Sequence, residues 1–151
     1  MKKIYAGDMT RLEFAERIKE AKCVIVSAGS CEQHGYHMAL DTDNVLGHYM
    51  AMEAAKRTDS IVMPNINYGQ VWSARNFPGS ISLSNDTLKA LFREIIISLE
   101  NFGARNILLL VGHNGNAPLG DVITFFRFLA DDGAGLDHDV FGNDAVVDLS
   151  A

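Results

Sequence analysis

Four side chains in this sequence have the chemistry of ligands for a divalent metal ion. Glu32, His34 and Asp43 lie close together in the chain, and His113 follows much later. Imidazole nitrogens combined with carboxylate oxygens are typical of catalytic zinc and manganese sites. Glu32 and His34 are two residues apart, so in an extended segment their side chains point the same way. On spacing alone, however, a metal site and a set of solvated loop residues explain the pattern equally well.

The elements around these residues alternate between helices and short apolar strands. Periodicity and capping signals predict helices over residues 10–21, 43–57 and 84–103. Continuous apolar runs predict strands over residues 22–28, 60–63 and 106–111. This alternation is typical of a mainly parallel sheet covered on both faces, so we expect an α/β fold. Such sheets bind ligands at the carboxyl ends of their strands, where the four candidate ligands fall.

Three further segments complete the predicted organisation. Residues 65–84 have no helical period and contain Gly69, Pro78 and Gly79, which indicates a long and functional loop. Pro118 suits the first turn of a helix, and an apolar side comprising Val122, Phe125, Phe126 and Leu129 predicts that this helix continues. Residues 131–151 are rich in Asp and Gly and predict an irregular tail, with a weak strand-like patch at 145–149.

Length and composition narrow the class of protein. The 151 residues suit one domain, and 48% of them are hydrophobic, which is ordinary for a soluble globular chain. The net charge of −6 argues against general nucleic-acid binding. No apolar run reaches the roughly 18–20 residues of a membrane span, and the N-terminus does not resemble a secretory signal. Two cysteines, Cys23 and Cys31, form no disulfide framework, so we predict a cytoplasmic protein with no membrane partner.

Several other interpretations of the polar residues remain open at this level. Asp43 is also a good helix N-cap, and the Gly-rich turn at 112–116 could bind phosphate before a helix. Cys31 could be a nucleophile with His34 or His37 as its base. Of the other histidines and cysteines, His48 and His138 are predicted to lie at the surface and Cys23 is predicted to lie in the core.

Three blocks of the sequence resemble the creatininase (creatinine amidohydrolase) family. They are residues 29–43, which contain GSCEQHGYH and then DTD, residues 76–83, which read NFPGSISL, and residues 112–116, which read GHNGN. The first block is the most specific, because an EQHGxH run followed by a TD pair rarely arises by chance. The resemblance covers approximately Cys23 to Pro118.

The resemblance implies a three-layer α/β/α sandwich, assembly into a homo-oligomer (usually a hexamer), and a metal centre. Members hydrolyse non-peptide C–N bonds in small molecules such as cyclic amides, or deformylate them, or cleave a modified peptide. Matched by motif position, Glu32 and His113 would hold one metal ion and His34 the other, with Asp43 bridging. The ions would be zinc or manganese, with iron as a third candidate, and would number one or two per chain.

The same resemblance implies roles for three residues that are not metal ligands. His37 matches a second family histidine and is expected to orient a ligand from the outer shell. Asn114 stands where a creatininase residue touches substrate. Trp72, in the long loop, is a candidate wall of the substrate pocket, although a packing role fits it equally well.

The sequence also departs from the family pattern. Creatininase has a glutamate at the position of Gly115, and other members supply one much further along, but no glutamate follows Glu100 here. We therefore expect one creatininase-like domain over residues 1–151 that is shortened at its C-terminus. Two hypotheses follow: a metal-dependent amidohydrolase acting on a small molecule, or a non-catalytic family member that binds a metal ion or a small molecule as an assembly subunit.

Overall fold

The computed structural model describes residues 2–119 and 123–127. Its three α-helices are α1 (Arg11–Glu20), α2 (Thr42–Thr58) and α3 (Asn85–Asn101). Its strands are β1 (Val24–Ala28), β2 (Ile61–Val62), β3 (Asn106–Val111) and β4 (Ile123–Arg127). Short 3₁₀ turns lie at Ala6–Asp8, Trp72–Ala74 and Asn114–Leu119.

The strands form one sheet in the order β2-β1-β3-β4. Strand β1 lies in the centre and pairs in parallel with both β2 and β3. Its apolar side chains are buried along the whole strand, as a strand covered on both faces requires. The predicted α/β fold with a mainly parallel sheet is therefore confirmed, and the three predicted strands pair as parallel neighbours.

The two faces of the sheet bury two separate clusters of apolar side chains. On one face, β1 residues Val24 and Val26 belong to a cluster with Ile18 of α1 and Phe92 of α3. On the other face, Ile25 packs with Ala51 and Ala55 of α2. Successive strand residues point to opposite faces, so one short strand supports both clusters. Helices thus cover the sheet on both sides and form the three expected layers.

The predicted helix that begins at Pro118 is wrong. Pro118 lies in the 3₁₀ turn Asn114–Leu119, and the residues that follow form strand β4, which runs antiparallel to β3. The sequence ITFFR of β4 is rich in β-branched and aromatic residues, which favour a strand. The spacing of its apolar residues also fits a helix. The strand is favoured because pairing with β3 satisfies the backbone N–H and C=O groups at the edge of that strand.

Two other expectations cannot be compared with the fold. The predicted irregular tail at 131–151 and its strand-like patch at 145–149 lie outside the described residues. Within the described part of the chain, no helix has the length and apolar character needed to cross a membrane.

Candidate metal centre

The two polar segments leave the sheet side by side. Strands β1 and β3 are parallel, and their last residues, Ala28 and Val111, are paired in register. The amide of Gly112 donates to the carbonyl oxygen of Ala28 at 2.7 Å, which extends the pairing by one step. Residues far apart in sequence therefore begin their loops at the same point, as the strand-end argument predicts.

Glycine at the end of β3 allows helix α2 to start close to the sheet. A Cβ atom at Gly112 would lie 2.9 Å from the carbonyl oxygen of Asp43 and 3.3 Å from Cα of Gly47. A side chain at this position would push the first turn of α2 away from the strand end. The missing side chain therefore sets how near Asp43 can come to the segment that carries His113.

Glu32 is held in place from both sides by the long loop. The amide of Ile81 donates to the carbonyl oxygen of Cys31 at 3.0 Å. The amide of Gln33 donates to Oγ of Ser80, also at 3.0 Å. The backbone around Glu32 is thus fixed by residues 80–81, which belong to the second block of the family resemblance.

Three of the predicted ligands converge on one point. Nδ1 of His113 lies 2.9 Å from Oδ2 of Asp43 and 3.2 Å from Oε1 of Glu32. One ligand atom from each of the three residues falls within 4.8 Å of the other two. The side chains are only 10–16% exposed, so the cluster is shielded from water but still accessible.

His34 reaches the same carboxylate from the other side. Its Nε2 lies 3.1 Å from Oδ1 of Asp43, whereas His113 faces Oδ2. Asp43 therefore presents one oxygen to each histidine. This is the arrangement of a carboxylate that could bridge two ligand groups, and it brings all four sequence-predicted residues together.

The outer nitrogens of both histidines face backbone carbonyl groups. Nε2 of His113 lies 2.9 Å from the carbonyl oxygen of Gln70, and Nδ1 of His34 lies 3.1 Å from that of Glu32. A carbonyl oxygen only accepts, so each of these nitrogens carries a proton and donates it. In a neutral ring, the nitrogen that faces Asp43 then carries a lone pair.

These lone pairs decide whether the site fits a metal ion. A lone pair and a carboxylate oxygen at about 3 Å repel each other, so a cation has to lie between them, either a metal ion or the second ring proton of an imidazolium. Histidines whose other nitrogen donates to a carbonyl group are the usual form of metal-ligating histidine. The donor set of two carboxylates and two oriented imidazoles therefore fits Zn²⁺ or Mn²⁺.

The structure assigns the helix N-cap position to Asp41 and not to Asp43. Asp43 lies in the first turn of α2, and its carboxylate faces the site. There, Oδ2 of Asp43 accepts a 2.7 Å hydrogen bond from the hydroxyl group of Ser30, which is fully buried. This bond orients the carboxylate toward both histidines, and the first turn of a helix also favours a negative charge.

Two buried asparagines tie the loops of the site together. Nδ2 of Asn116 donates to the carbonyl oxygen of Gly29, and Oδ1 of Asn116 accepts from the amide of Gln70. Nδ2 of Asn44 lies within hydrogen-bonding distance of the carbonyl oxygen of Ser30. Asn116 thus fixes the residue whose carbonyl group orients His113, and Asn44 fixes the residue that orients Asp43.

The sequence analysis assigned no role to these supporting residues. Ser30 and Asn116 stand inside the motif blocks, two residues before Glu32 and three residues after His113 respectively, so their position in the sequence was a usable signal. Gln70 contacts His113 through its backbone carbonyl group, and a pattern of side-chain types in a sequence cannot predict a contact of this kind.

The residues predicted to contact substrate lie at the surface. Asn114, His37 and Trp72 are exposed, and Trp72 stacks with Arg75. Within the described residues, His37 makes no hydrogen bond to any of the four candidate ligands. Their roles in substrate binding and ligand orientation stay predictions.

Within the described residues, the side chains of Cys23, Cys31 and His48 form no hydrogen bond with the cluster. Sγ of Cys31 donates to the carbonyl oxygen of Gly79 at 3.4 Å and, in the described part of the chain, forms no hydrogen bond with His34 or His37. Burial raises the pKa of the Cys23 thiol to about 11, which disfavours its reactive thiolate form. His48 packs edge-on against Tyr5, with ring centroids 5.2 Å apart. His138 lies outside the described residues.

Comparison with known proteins identifies the family. Residues 7–141 match the creatininase family, described as creatinine amidohydrolase. The chain belongs to the creatininase family. Creatinine amidohydrolase of Pseudomonas putida is 33% identical over 122 residues, which are 77% of this chain and 47% of that protein. Mycofactocin precursor peptide peptidase of Mycolicibacterium smegmatis is 31% identical over 112 residues, or 70% of this chain and 45% of the peptidase.

Solved creatininase structures share the fold. A manganese form of creatininase superimposes with a TM-score of 0.72 at 33% identity, over 77% of this chain and 48% of that one. A zinc–zinc form of a creatininase mutant has a TM-score of 0.71 at 32% identity, over 78% of this chain and 48% of that one. This creatininase-family chain therefore spans about half the length of the relatives that it matches.

Proposed function

We propose that this protein is a metal-dependent hydrolase that cleaves a non-peptide C–N bond, of the cyclic amide or formamide type, in a small molecule. The observation that carries the proposal is the convergence of Glu32, Asp43 and His113, whose ligand atoms lie within 4.8 Å of one another. The manganese and zinc forms of related creatininases support Zn²⁺ or Mn²⁺ as the ion, with iron as a third candidate.

Each residue of the cluster has a distinct part in this proposal. Glu32, Asp43 and His113 would hold one ion. His34 and the other carboxylate oxygen of Asp43 would hold a second ion. Bound at this position, a divalent ion supplies Lewis acidity and lowers the pKa of a coordinated water molecule. Ser30 keeps the carboxylate of Asp43 directed at both histidines, and the carbonyl group of Gln70 keeps the Nδ1 lone pair of His113 directed at the ion.

The substrate is proposed by class only. The relatives are called an amidohydrolase, a peptidase and a hydrolase, so hydrolysis is common to their names while the substrates differ. Asn114 and Trp72 are proposed to contact the substrate, and His37 is proposed to orient a ligand from the outer shell. All three side chains are exposed, as groups that meet an incoming small molecule must be.

A second candidate function is metal binding without catalysis, and one observation favours it. A Cβ atom at Gly115 would overlap the carbonyl oxygen of Gln70 and Nε2 of His113. In this conformation no side chain fits there, so position 115 cannot supply the carboxylate that creatininase has at the matching position. Among the described residues, His34 and Asp43 are the two candidate ligands for a second ion. A chain with one occupied site would be a non-catalytic family member serving as an assembly subunit.

We also propose that the protein forms a homo-oligomer. Four apolar side chains of α2 are between 54% and 63% exposed and lie along one side of the helix at i, i+1, i+4 and i+5 spacing: Val45, Leu46, Tyr49 and Met50. We call this set the α2 stripe. Contiguous exposed apolar patches of this kind commonly mark protein interfaces.

Elemental analysis tests the metal site. Protein purified without chelator is expected to contain at least about one equivalent of zinc, manganese or iron per chain, because three oriented ligands form a high-affinity site. Asp43→Ala should lose most of this metal, since it removes the ligand shared by both histidines. Asp86→Ala, at the corresponding first turn of α3, is the matched control and should keep it. Metal content below one equivalent in the parent protein, unchanged by Asp43→Ala, would contradict the proposal.

Hydrolysis assays separate the two candidate functions. Conversion of creatinine to creatine and release of formate from N-formyl amino acids are measured with the metal-loaded protein and with Glu32→Ala and His113→Ala. Hydrolysis by the parent protein that both substitutions abolish supports the hydrolase. Full metal occupancy together with no hydrolysis across the panel supports the non-catalytic family member.

A further inference from the structure

One charged side chain of the long loop is clamped by an aromatic ring. The guanidinium carbon of Arg75 lies 3.8 Å from the centroid of the Trp72 ring, which is within the range of a cation–π contact. Nη1 of Arg75 also donates to the carbonyl oxygen of Trp72 at 2.7 Å. Two contacts to one residue hold the guanidinium group in a defined orientation, although both side chains are exposed.

The clamped guanidinium group has no carboxylate partner among the described residues. Between Asp59 and Asp86 the sequence contains no charged residue other than Arg75. A guanidinium group carries five N–H donors, and the described contacts use only the one to Trp72. In a protein whose net charge is −6, an oriented cation without an acidic neighbour has its charge and its donors free for a ligand.

This pair belongs to the loop segment that contacts the candidate metal centre. The carbonyl group of Gln70 accepts from His113, and Gln70 precedes Trp72 by two residues. Consecutive Cα atoms are about 3.8 Å apart, so the Trp72 backbone lies within about 8 Å of that of Gln70. Val71 is fixed between them, since its amide donates to Oγ of Ser82 at 2.9 Å. The guanidinium group therefore belongs to the same short loop segment as the carbonyl group that orients His113.

From these contacts we infer that Arg75, oriented by Trp72, is a specificity-determining residue that binds a carboxylate group of the substrate. A planar guanidinium fork matches the two oxygens of a carboxylate, and the indole ring beneath it restricts the fork to one plane. The substrate class is then a small amide that also carries a carboxylate. This inference rests on the proposed function, since the amide is the group placed at the metal centre.

Fluorescence of Trp72, the only tryptophan in the sequence, gives a direct readout of this contact. The protein as purified is titrated at constant ionic strength with N-acetylglycine and with N-acetylglycinamide, which differ only in a carboxylate and a neutral amide. The half-saturating concentration should be about fivefold lower for the acid, the equivalent of about 1 kcal/mol for an exposed charge-assisted contact. Arg75→Gln should abolish the difference. Arg105→Gln, another exposed arginine, which precedes β3 at the opposite end of the strand, should preserve it.

The outcomes distinguish this inference from the proposed function. Equal binding of the acid and the neutral amide by the parent protein overturns the carboxylate subsite, and so does an acid preference that survives Arg75→Gln. Metal content is measured on the same samples and should be unchanged by Arg75→Gln. A protein that prefers the acid but holds no metal would refute the hydrolase while leaving the carboxylate contact in place.

Discussion

Asp43 is the residue on which the candidate centre depends most. Its two oxygens face His34 and His113 separately, and the oxygen on the His113 side also accepts from Ser30. No other described side chain contacts both histidines. Metal binding by the four candidate ligands therefore depends on the orientation of the Asp43 carboxylate. Ser30 is the residue that sets this orientation.

Removing the hydroxyl group of Ser30 should weaken metal binding. Ser30→Ala deletes a 2.7 Å charge-assisted hydrogen bond to Asp43 without touching a ligand. Loss of such an outer partner typically lowers metal affinity by about 10- to 100-fold. Competition for zinc against a fluorescent chelator measures the change. Ser73→Ala, at an exposed serine, is the control, and equal zinc affinity in the two variants would show that Ser30 does not orient the carboxylate.

The elements of the fold each begin or end where the site needs them. Strands β1 and β3 end in register, helix α2 starts against Gly112, and residues 80–81 fix the backbone around Glu32. Helix α1 lies on one face of the sheet and is anchored by its own N-terminus. There Thr10 and Glu13 form the predicted capping box, and Glu13 also pairs with Lys3.

The Glu13 carboxylate, which pairs with Lys3 and with the Thr10 amide, should make stability depend on acid pH. The hydrogen bond from Lys3, followed by the one from the Thr10 amide, lowers the pKa of Glu13 from 4.5 to about 2. Because the folded-state pKa is the lower one, the stabilisation is complete above about pH 4.5 and is lost as the pH falls toward 2. Glu13→Gln should lower the thermal midpoint at neutral pH and flatten its fall over this window.

Circular dichroism melts between pH 2 and 7 measure this effect. Glu16→Gln, at an exposed glutamate of the same helix, is the matched control and should follow the parent profile. Parallel curves for Glu13→Gln and the parent protein over the whole range would show that the charge of the Glu13 carboxylate does not contribute.

At the scale of the whole molecule, the two faces of the sheet are covered by described helices, yet α2 keeps an apolar outer side. Ala51 and Ala55 of α2 are buried against the sheet, whereas the α2 stripe is more than half exposed. Nothing in the described part of the chain covers this apolar area. Association through the α2 stripe would bury it and would also place the neighbouring copy close to the start of α2, where Asp43 lies.

Charge introduced into the α2 stripe should reduce assembly. The parent protein is expected to have a mass well above the 16.5 kDa of one chain in light scattering after gel filtration. Tyr49→Glu combined with Met50→Glu should shift it to lower mass, because burying charges in an apolar interface is costly. Leu12→Glu, at an equally exposed apolar position on α1, should leave the mass unchanged. A parent protein of monomer mass would refute the proposed oligomer.

The family, the α/β class and the four candidate ligands were accessible from the sequence. Buried parallel strands can be recognised in a sequence as continuous apolar runs. Because such strands run in the same direction, the residues that follow them meet at one edge of the sheet. Helices α1 and α3 were predictable for a local reason, since Thr10 and Ser84 form their caps with residues three positions further on. The cytoplasmic location inferred from composition stays a prediction.

The tertiary structure decided what local patterns could not. The apolar residues after Pro118 fit a helix or a strand, and only the free edge of β3 selects the strand. Asp43 fits an N-cap or a ligand, and only the approach of α2 to the ends of β1 and β3 turns its carboxylate toward two histidines. The donor that orients it and the carbonyl groups that set the histidine tautomers come from contacts between distant segments. Residue types in the sequence thus determined which chemistry was available, whereas long-range packing determined which atoms face each other.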